Sequence, residues 1–461
     1  MMTLRDVMVI PHTGTARIEA PRKISITGVS IDTRTIAPGN MFIALRGERF
    51  DGHEFIGSAV RRGASCAVVD SRWFRQSDQS GYALPMLVVE NTLDALGYCA
   101  NIHRKKFQIP VIAIAGSNGK TTTRDMVAAV LSTRYPVLRT EGNLNNNIGV
   151  PLTLLRISRR HRVAVIEHGT NHPGELEWLM KISEPTHALV TSIGREHLEF
   201  FSTLDGVAAE EGTVFRYSRF GFVNADEPLI LAQAKTLRRS LRYGFAGLRS
   251  GIRGRIAGVD GTGCARLQIR SKKFSTPMEL TLKVPGIHNA SNALAAAAVG
   301  IQFGIGKKNI VRALENFSAS SKRMEILTVR AVTILNDTYN ANPDSVLAAL
   351  STLSSLSVRG KKIVVLGDML ELGGESEREH AKIGLEVAGR GFEYLFTFGP
   401  LSRCIFEASK LGFAQHFDEK MALMKTLCAT ISPGDAVLVK GSRGMKMEDV
   451  VNGVITYITT Q

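Results

Sequence analysis

Hydrophobic residues along this chain follow the two repeat lengths of secondary structure, and the elements that they predict alternate between strand and helix. Residues 111–115, Val-Ile-Ala-Ile-Ala, are a continuous apolar run, which is typical of a strand buried on both faces of a parallel sheet. A glycine-rich segment follows, and residues 123–134 have the spacing of a helix. The same region predicts strands at 163–166, 187–191 and 220–223, antiparallel strands within 245–285, and a helix at 289–303. Strand-then-helix alternation indicates a doubly wound α/β domain.

Shorter α/β patterns lie on either side of this central region. Before it, the chain predicts strands at 24–31, 40–45, 67–69 and 85–89 and helices at 55–62 and 93–106. After it come predicted strands at 333–335, 362–366, 394–398 and 436–439 and helices at 345–356, 376–388 and 401–411, which indicate a second parallel sheet of Rossmann-like type. At roughly 100–200 residues per domain, 461 residues fit three domains. We predict a small α/β domain of residues 1–107, a central domain of residues 108–318 and a C-terminal domain of residues 319–461.

The charge balance constrains the partners, because 57 basic against 42 acidic residues give a net charge of +15. A basic enzyme surface suited to anionic substrates explains this excess. Nucleic-acid binding is the alternative, but the densest basic clusters, at 156–162, 238–242 and 271–273, are short and have no interleaved aromatic pattern. We therefore expect no nucleic-acid partner.

Cysteine usage and hydropathy bear on the compartment. None of the five cysteines forms a C-x-x-C pair, which favours a reducing cytoplasm over a disulfide framework or a zinc site. The first residues lack the charged and apolar regions of a signal peptide, and no run of 18 apolar residues occurs. We expect a cytoplasmic protein without a membrane span, and a monomer.

The strongest chemical signal is the segment Gly116-Ser-Asn-Gly-Lys-Thr-Thr122 between the first central strand and its helix. Glycines let the backbone approach phosphate groups closely, while amide N–H groups and the helix N-terminus supply positive potential. Lys120 would reach the β- and γ-phosphates, and the Thr121 hydroxyl would bind Mg²⁺. The segment therefore predicts an ATP-Mg²⁺ site made of the whole loop: Gly116, Ser117, Asn118, Gly119, Lys120, Thr121 and Thr122.

This phosphate loop is shorter than the usual one, because Ile114 stands where the first glycine is expected, six positions before the lysine. A shortened loop followed by two threonines resembles the Mur ligase family, cytoplasmic enzymes that join amino acids or dipeptides to a UDP-muramoyl precursor of the cell wall. The resemblance runs over nearly the whole chain. It is closest to the members that add D-alanyl-D-alanine to UDP-N-acetylmuramoyl-tripeptide, and it implies UDP-, ATP- and dipeptide-binding domains in that order.

Motifs in the first domain carry the UDP part of the resemblance. They are Gly28-Val-Ser-Ile-Asp-Thr-Arg34 and the segment from Pro38 to His53. Binding uridine and pyrophosphate requires Ser or Thr hydroxyls, a cation and backbone amides around the ligand. The candidate UDP-substrate residues are Ser30, Thr33, Arg34, Arg46 and Gly47. Apart from the resemblance, the same residues are explained equally well as an ordinary turn and strand whose charged side chains are solvated and bind no ligand.

The central domain continues the match with residues 140–151, 166–175 and 194–199. By resemblance, the first of these segments meets ATP and peptide substrate through Asn143, Asn145 and Asn147. Glu167 would bind Mg²⁺, for which oxygen ligands are suited, and Asn171 would orient substrate. By the same resemblance, His197 would be a second residue of the metal site. His168 and Thr170 depart from the family pattern, and we expect them to reshape the substrate pocket slightly.

The rest of the match supplies the remaining candidates. Asn289 and Asn292 lie three apart, hence on one helix face, and by resemblance they lie on the adenine side. Arg323 would stabilise the transferring phosphate, and Asp337 would contact the ribose. The residues that would seat the incoming dipeptide are Tyr339, Asn340 and Asn342. Leu366–Gly373 and Val439–Met445, with its Lys-Gly-Ser-Arg-Gly string, complete the resemblance.

One departure touches the metal site directly. Where the family commonly has a carbamylated lysine that carries negative charge toward a second Mg²⁺, this chain has Glu211, which keeps the sign of the charge but has a shorter reach. Two hypotheses follow. Either Glu211, or its neighbour Glu210, holds the second Mg²⁺ without dependence on carbon dioxide, or the site is degraded and activity is weak or altered.

The resemblance implies ATP-driven amide formation through an acyl phosphate. The catalytic candidates are Lys120, Glu167, His197, Glu211 and Arg323, and the metal candidates are Thr121, Glu167, His197 and Glu211. Alternatives remain at this stage: a related ligase with a different acceptor, a nucleotide-binding relative without catalysis, or a motor-type P-loop NTPase. The last would need an aspartate-ended strand motif and a basic stripe, which we do not find.

Overall fold

The protein is described by a computed structural model covering residues 2–18, 21, 23–48, 50–78, 81–246, 251–319 and 321–460. The chain forms two compact units. The first contains Met1–Ile112, Pro136–His168 and Glu177–Thr186, and the second contains Ala113–Tyr135, Gly169–Leu176 and His187–Gln461. The finer boundaries at 107/108 and 318/319 stay a prediction.

The N-terminal part of the first unit is a small sheet with helices. Its elements are β1 (Met2–Thr3), α1 (Leu4–Val7), β2 (Gly14–Ala16), β3 (Ser25–Ile26), β4 (Gly28–Ser30), β5 (Asn40–Ile43), α2 (Ile56–Arg61), β6 (Cys66–Asp70), α3 (Ser71–Gln76), β7 (Met86–Val89) and α4 (Thr92–Lys105). Five strands form a sheet in the order β2-β7-β6-β5-β4, with β2 antiparallel to β7 and the other pairs parallel. The single strand predicted at 24–31 is instead the two short strands β3 and β4, which belong to different sheets.

The central part of the chain alternates strand and helix as the pattern predicts. Its elements are β8 (Val111–Ala115), α5 (Lys120–Ser132), β9 (Val137–Arg139), α6 (Gly149–Leu155), β10 (Val163–Glu167), α7 (Glu175–Ser183), β11 (His187–Val190), α8 (Leu198–Phe201), α9 (Leu204–Glu211), α10 (Thr213–Arg216), β12 (Phe220–Asn224), α11 (Pro228–Gln233), β13 (Ser240–Gly244), β14 (Ile252–Val259), β15 (Cys264–Ser271), β16 (Met278–Pro285), α12 (His288–Gln302) and α13 (Lys307–Glu315). In the second unit the strands run in the order β16-β15-β14-β13-β12-β11-β8, and in the first unit β9 and β10 form a parallel pair.

Two predictions for this region are tested by the strands and helices found. The antiparallel strands predicted within 245–285 are confirmed by β14, β15 and β16, although residues 247–250 lie outside the described residues. The predicted helix start at residue 123 is wrong, because α5 begins at Lys120. Gly119 has φ +81° and precedes the first helical residue, so the helix starts as soon as the loop turn ends.

The C-terminal part of the second unit is a six-stranded sheet. Its elements are β17 (Glu325–Val329), β18 (Val332–Asp337), α14 (Pro343–Ser355), β19 (Lys362–Gly367), α15 (Ser376–Gly389), β20 (Tyr394–Phe398), α16 (Arg403–Ser409), β21 (Ala414–Phe417), α17 (Lys420–Thr430), β22 (Ala436–Lys440) and α18 (Glu448–Thr460). The strand order is β17-β18-β22-β19-β20-β21. Apolar residues cover both faces, with α14, α15 and α16 on one and α17 and α18 on the other.

The four strands predicted for the second sheet pair in parallel, but the pattern did not predict the edge strand β17, which pairs antiparallel with β18. Arg330 and Ala331 both have positive φ, 44° and 65°, which is the conformation of a two-residue hairpin turn. Neither residue type signals such a turn, so the sequence pattern did not reveal it. The five other strands are parallel, so β18 and β22 end side by side, with Asp337 opposite Lys440.

Candidate active site

The phosphate loop, Gly116–Thr122, lies at the carboxyl end of β8, next to the end of β11. Gly116 has φ +119°, and a Cβ there would meet the Thr191 hydroxyl at 2.4 Å, so only glycine fits. The amides of Ser117 and Asn118 donate to the backbone carbonyl and the hydroxyl of Ser192, at 2.8 Å and 3.1 Å. These contacts hold the loop in shape ahead of the N-terminus of α5, where backbone N–H groups favour an anion.

Lys120, the first residue of α5, folds back over this loop. Its Nζ donates to the Gly116 carbonyl and, at 3.3 Å, to the Ser117 carbonyl, and it lies 3.6 Å from Oε1 of Glu196. The lysine is therefore already placed above the loop that it would serve. Glu196 lies in the matched segment 194–199, but no role was assigned to it from the sequence, because its contact with Lys120 spans 76 positions and shows no local pattern.

Glu211 lies at the end of α9, 1% exposed, and touches the same loop. Its Oε2 accepts a 2.6 Å hydrogen bond from the Gly116 amide. Among the described residues no donor reaches Oε1. Burial, together with the negative charge of nearby Glu196, raises the pKa of Glu211 above its ordinary value. A buried carboxylate oxygen without a donor fits an Mg²⁺ ion, which takes oxygen ligands.

Glu210, the alternative metal ligand, has a different role in the structure. Its Oε1 accepts from the Leu176 amide at 2.9 Å and its Oε2 from the Gly174 amide at 3.0 Å. These are donors at the N-terminus of α7, where a negative charge is stabilising. The structure thus favours Glu211 over Glu210 as the carboxylate available for a metal.

Asn289 and Asn292 meet each other under the phosphate loop. Asn292 donates to Asn289 at 3.0 Å and accepts from the Thr123 hydroxyl at 3.0 Å, and Asn289 donates to the Pro285 carbonyl at 2.7 Å. A Cβ on Gly119 would lie 2.6 Å from the Asn292 oxygen. Both side chains are buried and support the start of α5. Their contact with adenine stays a prediction.

His197 stands at the start of α8 in the left-handed conformation, with φ 49°. Its Nδ1 lies 2.6 Å from Oε2 of Glu371, in the Leu366–Gly373 motif. The close imidazole of His197 lowers the pKa of Glu371 below its ordinary value. Within the described residues, no three side chains of His, Cys, Asp or Glu form a group that could hold a metal. The metal role of His197 stays a prediction.

In the first unit, Glu167 ends β10 and is 1% exposed. Its Oε1 accepts from Asn145 Nδ2 at 2.9 Å, and its amide donates to the Thr140 hydroxyl at 2.9 Å. Two predicted residues are therefore brought together. Asn143 is exposed and Asn147 half-buried in the same loop.

His168 and Thr170, the two residues that depart from the family pattern, are both buried. His168 is fully buried, with Nδ1 donating to the Ile166 carbonyl at 3.0 Å and Nε2 lying 3.2 Å from the Ser183 hydroxyl. Burial lowers its pKa to about 3. In the second unit, Thr170 is buried and donates to the His172 carbonyl at 3.0 Å, while Asn171 is exposed. Both side chains are buried, and the expectation that they reshape the substrate pocket slightly stays a prediction.

The UDP candidates of the first unit lie at the end of β4 and on the loops after β4 and β5. Arg34 pairs with Asp32 at 2.6 Å, and Arg46 pairs with Asp51 at 3.0 Å. The other three are a buried serine, a half-buried threonine and an exposed glycine: Ser30, Thr33 and Gly47. Arg49, in the same motif, lies outside the described residues. Both arginines are exposed and thus accessible to an anionic ligand.

The C-terminal candidates gather at the ends of β18 and β22. Lys440, 2% exposed, donates to Oδ2 of Asp337 at 2.5 Å and to the Asn340 carbonyl at 2.8 Å. The other oxygen of Asp337 accepts from the Met324 amide at 3.0 Å. The guanidinium of Arg323 lies 3.7 Å from the centre of the Tyr339 ring. The structure thus assembles Arg323, Asp337, Tyr339 and Asn340 into one cluster.

Two contacts join the phosphate loop region to the start of α14. Asn342, which caps that helix, donates to Oδ1 of Asn118 at 3.0 Å. Arg195 donates from its amide and its guanidinium to Asp344, at 2.7 Å and 2.6 Å, and from Nη1 to buried Glu379 at 2.7 Å. Sequence reasoning missed Arg195, Asp344 and Glu379, because residues separated by 149 and 184 positions show no pattern.

Comparison with known proteins bears on all of these motifs. Three sequence models match: "Mur ligase family, catalytic domain" over residues 25–116, "Mur ligase middle domain" over 114–300 and "Mur ligase, glutamate ligase domain" over 322–443. The chain is 36% identical to the UDP-N-acetylmuramoyl-tripeptide–D-alanyl-D-alanine ligase of Escherichia coli over 439 residues, which is 94% of each protein. The chain belongs to the Mur ligase family.

Solved structures of the family agree in fold. A crystal structure of MurF from Acinetobacter baumannii superposes with a TM-score of 0.88 at 28% identity and covers 98% of each chain. MurF of Thermotoga maritima in complex with ADP gives a TM-score of 0.83 at 24% identity, covering 94% of this chain and 98% of that one. The three-domain α/β organisation inferred from the motifs is that of the Mur ligases. None of the helices in the described part of the chain has the length and apolar character needed to cross a bilayer.

Proposed function

We propose that this Mur ligase joins D-alanyl-D-alanine to UDP-N-acetylmuramoyl-tripeptide with ATP and Mg²⁺ in peptidoglycan precursor synthesis. The observation that carries the proposal is the phosphate loop, folded at the N-terminus of α5 with Lys120 above it. The E. coli relative with this activity is matched over 94% of its length. No feature of the described residues favours a different acceptor or a silent relative.

The phosphates of ATP bind along the loop, where amide N–H groups and Lys120 meet their charge. The nucleotide-binding residues are Gly116, Ser117, Asn118, Gly119, Lys120, Thr121, Thr122, Asn289, Asn292, Arg323 and Asp337. A carboxylate oxygen of the tripeptide attacks the γ-phosphorus, ADP leaves, and an acyl phosphate forms. Lys120 and Arg323 neutralise the charge on the transferring group.

The metal residues are Thr121, Glu167, His197 and Glu211. When bound there, Mg²⁺ offsets phosphate charge and polarises the transferring phosphoryl group. Glu211 supports this assignment through Oε1, the buried oxygen that no described residue pairs. Glu167 supports it as a carboxylate that ends a strand.

The muramoyl substrate and the dipeptide bind to different sets of residues. The UDP part of the substrate binds to Ser30, Thr33, Arg34, Arg46 and Gly47. Asn143, Asn145 and Asn147 meet ATP and the peptide part, and Asn171 orients the substrate. The dipeptide residues are Tyr339, Asn340 and Asn342. The free amine of D-alanyl-D-alanine attacks the acyl carbon, phosphate leaves, and the amine loses a proton to give the amide. Exclusion of water protects the acyl phosphate from hydrolysis. We further propose that the enzyme acts as a monomer in the cytoplasm.

The decisive experiment measures phosphate release from ATP with both substrates, with each alone and with neither. The proposal expects release that requires the UDP-tripeptide and product that requires the dipeptide as well. Release that ignores both substrates would reject the ligase function. Parallel assays with lysine and with diaminopimelate at the third peptide position identify the natural tripeptide.

A further inference from the structure

The incoming dipeptide, on the proposed function, has a requirement that no residue assigned so far meets. Its amine reacts, but its C-terminal carboxylate stays charged throughout. Moving a carboxylate into a site that excludes water is costly unless a cation pairs with it. Recognition of D-alanyl-D-alanine therefore needs a positively charged partner near Tyr339, Asn340 and Asn342.

A surplus of positive charge lies at this place. Around the ends of β18 and β22 the structure gathers four cations and three carboxylates: Lys322, Arg323, Lys440 and Arg443, with Glu325, Asp337 and Glu448. Lys322 and Arg443 share one oxygen of Glu448, at 3.1 Å and 3.2 Å. Among the described residues Arg323 makes no ion pair. An anionic ligand would balance the excess.

Arg443 is the cation best placed to receive it. Lys440 is buried and already donates to Asp337, and Arg323 is the residue proposed for the phosphate. Arg443 lies in the Lys-Gly-Ser-Arg-Gly string, which the proposed function leaves without a role. Its side chain is 61% exposed, and within the described residues only Nη1 is in an ion pair.

The position of Arg443 also matches the dipeptide residues. Its backbone amide donates to Asn340 Oδ1 at 3.3 Å, and its guanidinium lies 5.8 Å from the centre of the Tyr339 ring. Glu448 limits where the guanidinium can move, while the free N–H groups form a planar fork that fits a carboxylate. A ligand seated on Tyr339 and Asn340 thus has this fork beside it.

We propose that Arg443 binds the C-terminal carboxylate of the acceptor dipeptide and so sets the preference for a substrate with a free acid. This proposal rests on the ligase function. It adds a specificity-determining residue, and it leaves the phosphoryl-transfer step to Lys120 and Arg323.

The test compares D-alanyl-D-alanine with its C-terminal amide, D-alanyl-D-alaninamide, in wild type, Arg443→Met and Arg443→Lys. Wild type is expected to prefer the acid. Arg443→Met should lose about 10–100-fold in kcat/KM for the acid, the range expected for a charged hydrogen bond, and little for the amide. Arg443→Lys, which keeps the charge but loses the fork, should fall between them.

Arg403→Met is the matched control, because Arg403 is a half-exposed arginine that pairs with exposed Asp418 at 3.2 Å in the same part of the chain. It should keep the preference for the acid. Equal losses for acid and amide in Arg443→Met would mean that Arg443 is only structural, and a wild type that uses both substrates equally would also overturn the proposal. Failure of the wild type to form any product would instead reject the ligase function on which it rests.

Discussion

Glu211 accepts a hydrogen bond of 2.6 Å from the amide of Gly116, the first residue of the phosphate loop. The contact is buried on both sides. It gives Glu211 two separable properties: an oxygen that fixes the loop and a charge that can face a metal ion. The sequence predicted only the second, from the position of Glu211 in a motif where related enzymes have a lysine.

Substitutions at Glu211 separate these two properties. Glu211→Gln keeps an oxygen for the Gly116 amide but removes the charge, so KM for ATP should stay close to that of wild type while kcat falls. Glu211→Ala leaves a buried amide without a partner, which costs about 1–3 kcal/mol, so KM for ATP should rise as well. Steady-state phosphate release at several Mg²⁺ concentrations measures both effects.

Bicarbonate provides the control for this series. Wild type should be indifferent to it, whereas Glu211→Lys should gain activity with bicarbonate if a carbamylated lysine can restore the charge. Activity of Glu211→Ala equal to wild type at every Mg²⁺ concentration would remove the metal role.

Lys120 provides the sharpest test of the nucleotide site. Lys120→Met keeps the length and apolar stem of the side chain but removes the charge above the loop. Loss of a fixed charge that faces the transferring group typically reduces kcat by about 10²–10³-fold. Lys105→Met, at an exposed lysine paired with Glu184 on the surface, should leave kcat unchanged. A Lys120→Met enzyme with normal kcat would exclude the proposed phosphoryl-transfer role.

The sequence predicted local features better than contacts between distant segments. The strand predicted at residues 111–115 begins and ends where β8 does. The prediction was possible because the uninterrupted apolar run and the glycine loop after it are both local features. The hairpin at Arg330–Ala331 was missed, since neither residue favours positive φ. The motifs predicted that Lys120 and Glu211 both serve the ATP-Mg²⁺ site. They did not predict the hydrogen bond between Glu211 and Gly116, because it joins residues 95 positions apart.

The ion network of Arg195, Asp344 and Glu379 is a contact of this second kind, and it makes its own prediction. It fixes the loop that carries Glu196 and His197 to the first turn of α14, beside Asn342. Arg195→Ala and Asp344→Ala should each reduce kcat/KM for the dipeptide about 10-fold, since charged hydrogen bonds contribute about 1.5–3 kcal/mol each.

A double-variant cycle measured by steady-state kinetics checks this coupling. Because Asp344 acts through Arg195, which also pairs with Glu379, the double variant should be no worse than Arg195→Ala alone. Losses that multiply would show independent roles. Arg390→Ala, which breaks a pair with Glu386 one turn away on α15, should leave the kinetics unchanged.

His168 predicts a pH dependence of stability in the first unit. Burial holds its pKa at about 3 against an ordinary 6.5, so the imidazole is neutral in the folded state through the whole range between those values. The unfolded state binds one more proton in that range. The free energy of unfolding therefore falls as pH falls from 6.5, by up to about 1.4 kcal/mol per pH unit.

Tryptophan fluorescence reports the unfolding of the first unit directly, because both tryptophans of the chain, Trp73 and Trp178, belong to that unit together with His168. Urea unfolding followed by tryptophan fluorescence gives the free energy of unfolding at each pH between 4 and 6.5. Its slope against pH counts the protons taken up on unfolding, and we expect one proton fewer for His168→Leu than for wild type. Ser183→Ala removes the neighbouring hydroxyl but keeps the imidazole, so it should retain the wild-type slope. Equal slopes for His168→Leu and wild type would mean that His168 is protonated in the folded protein, which its fully buried position opposes.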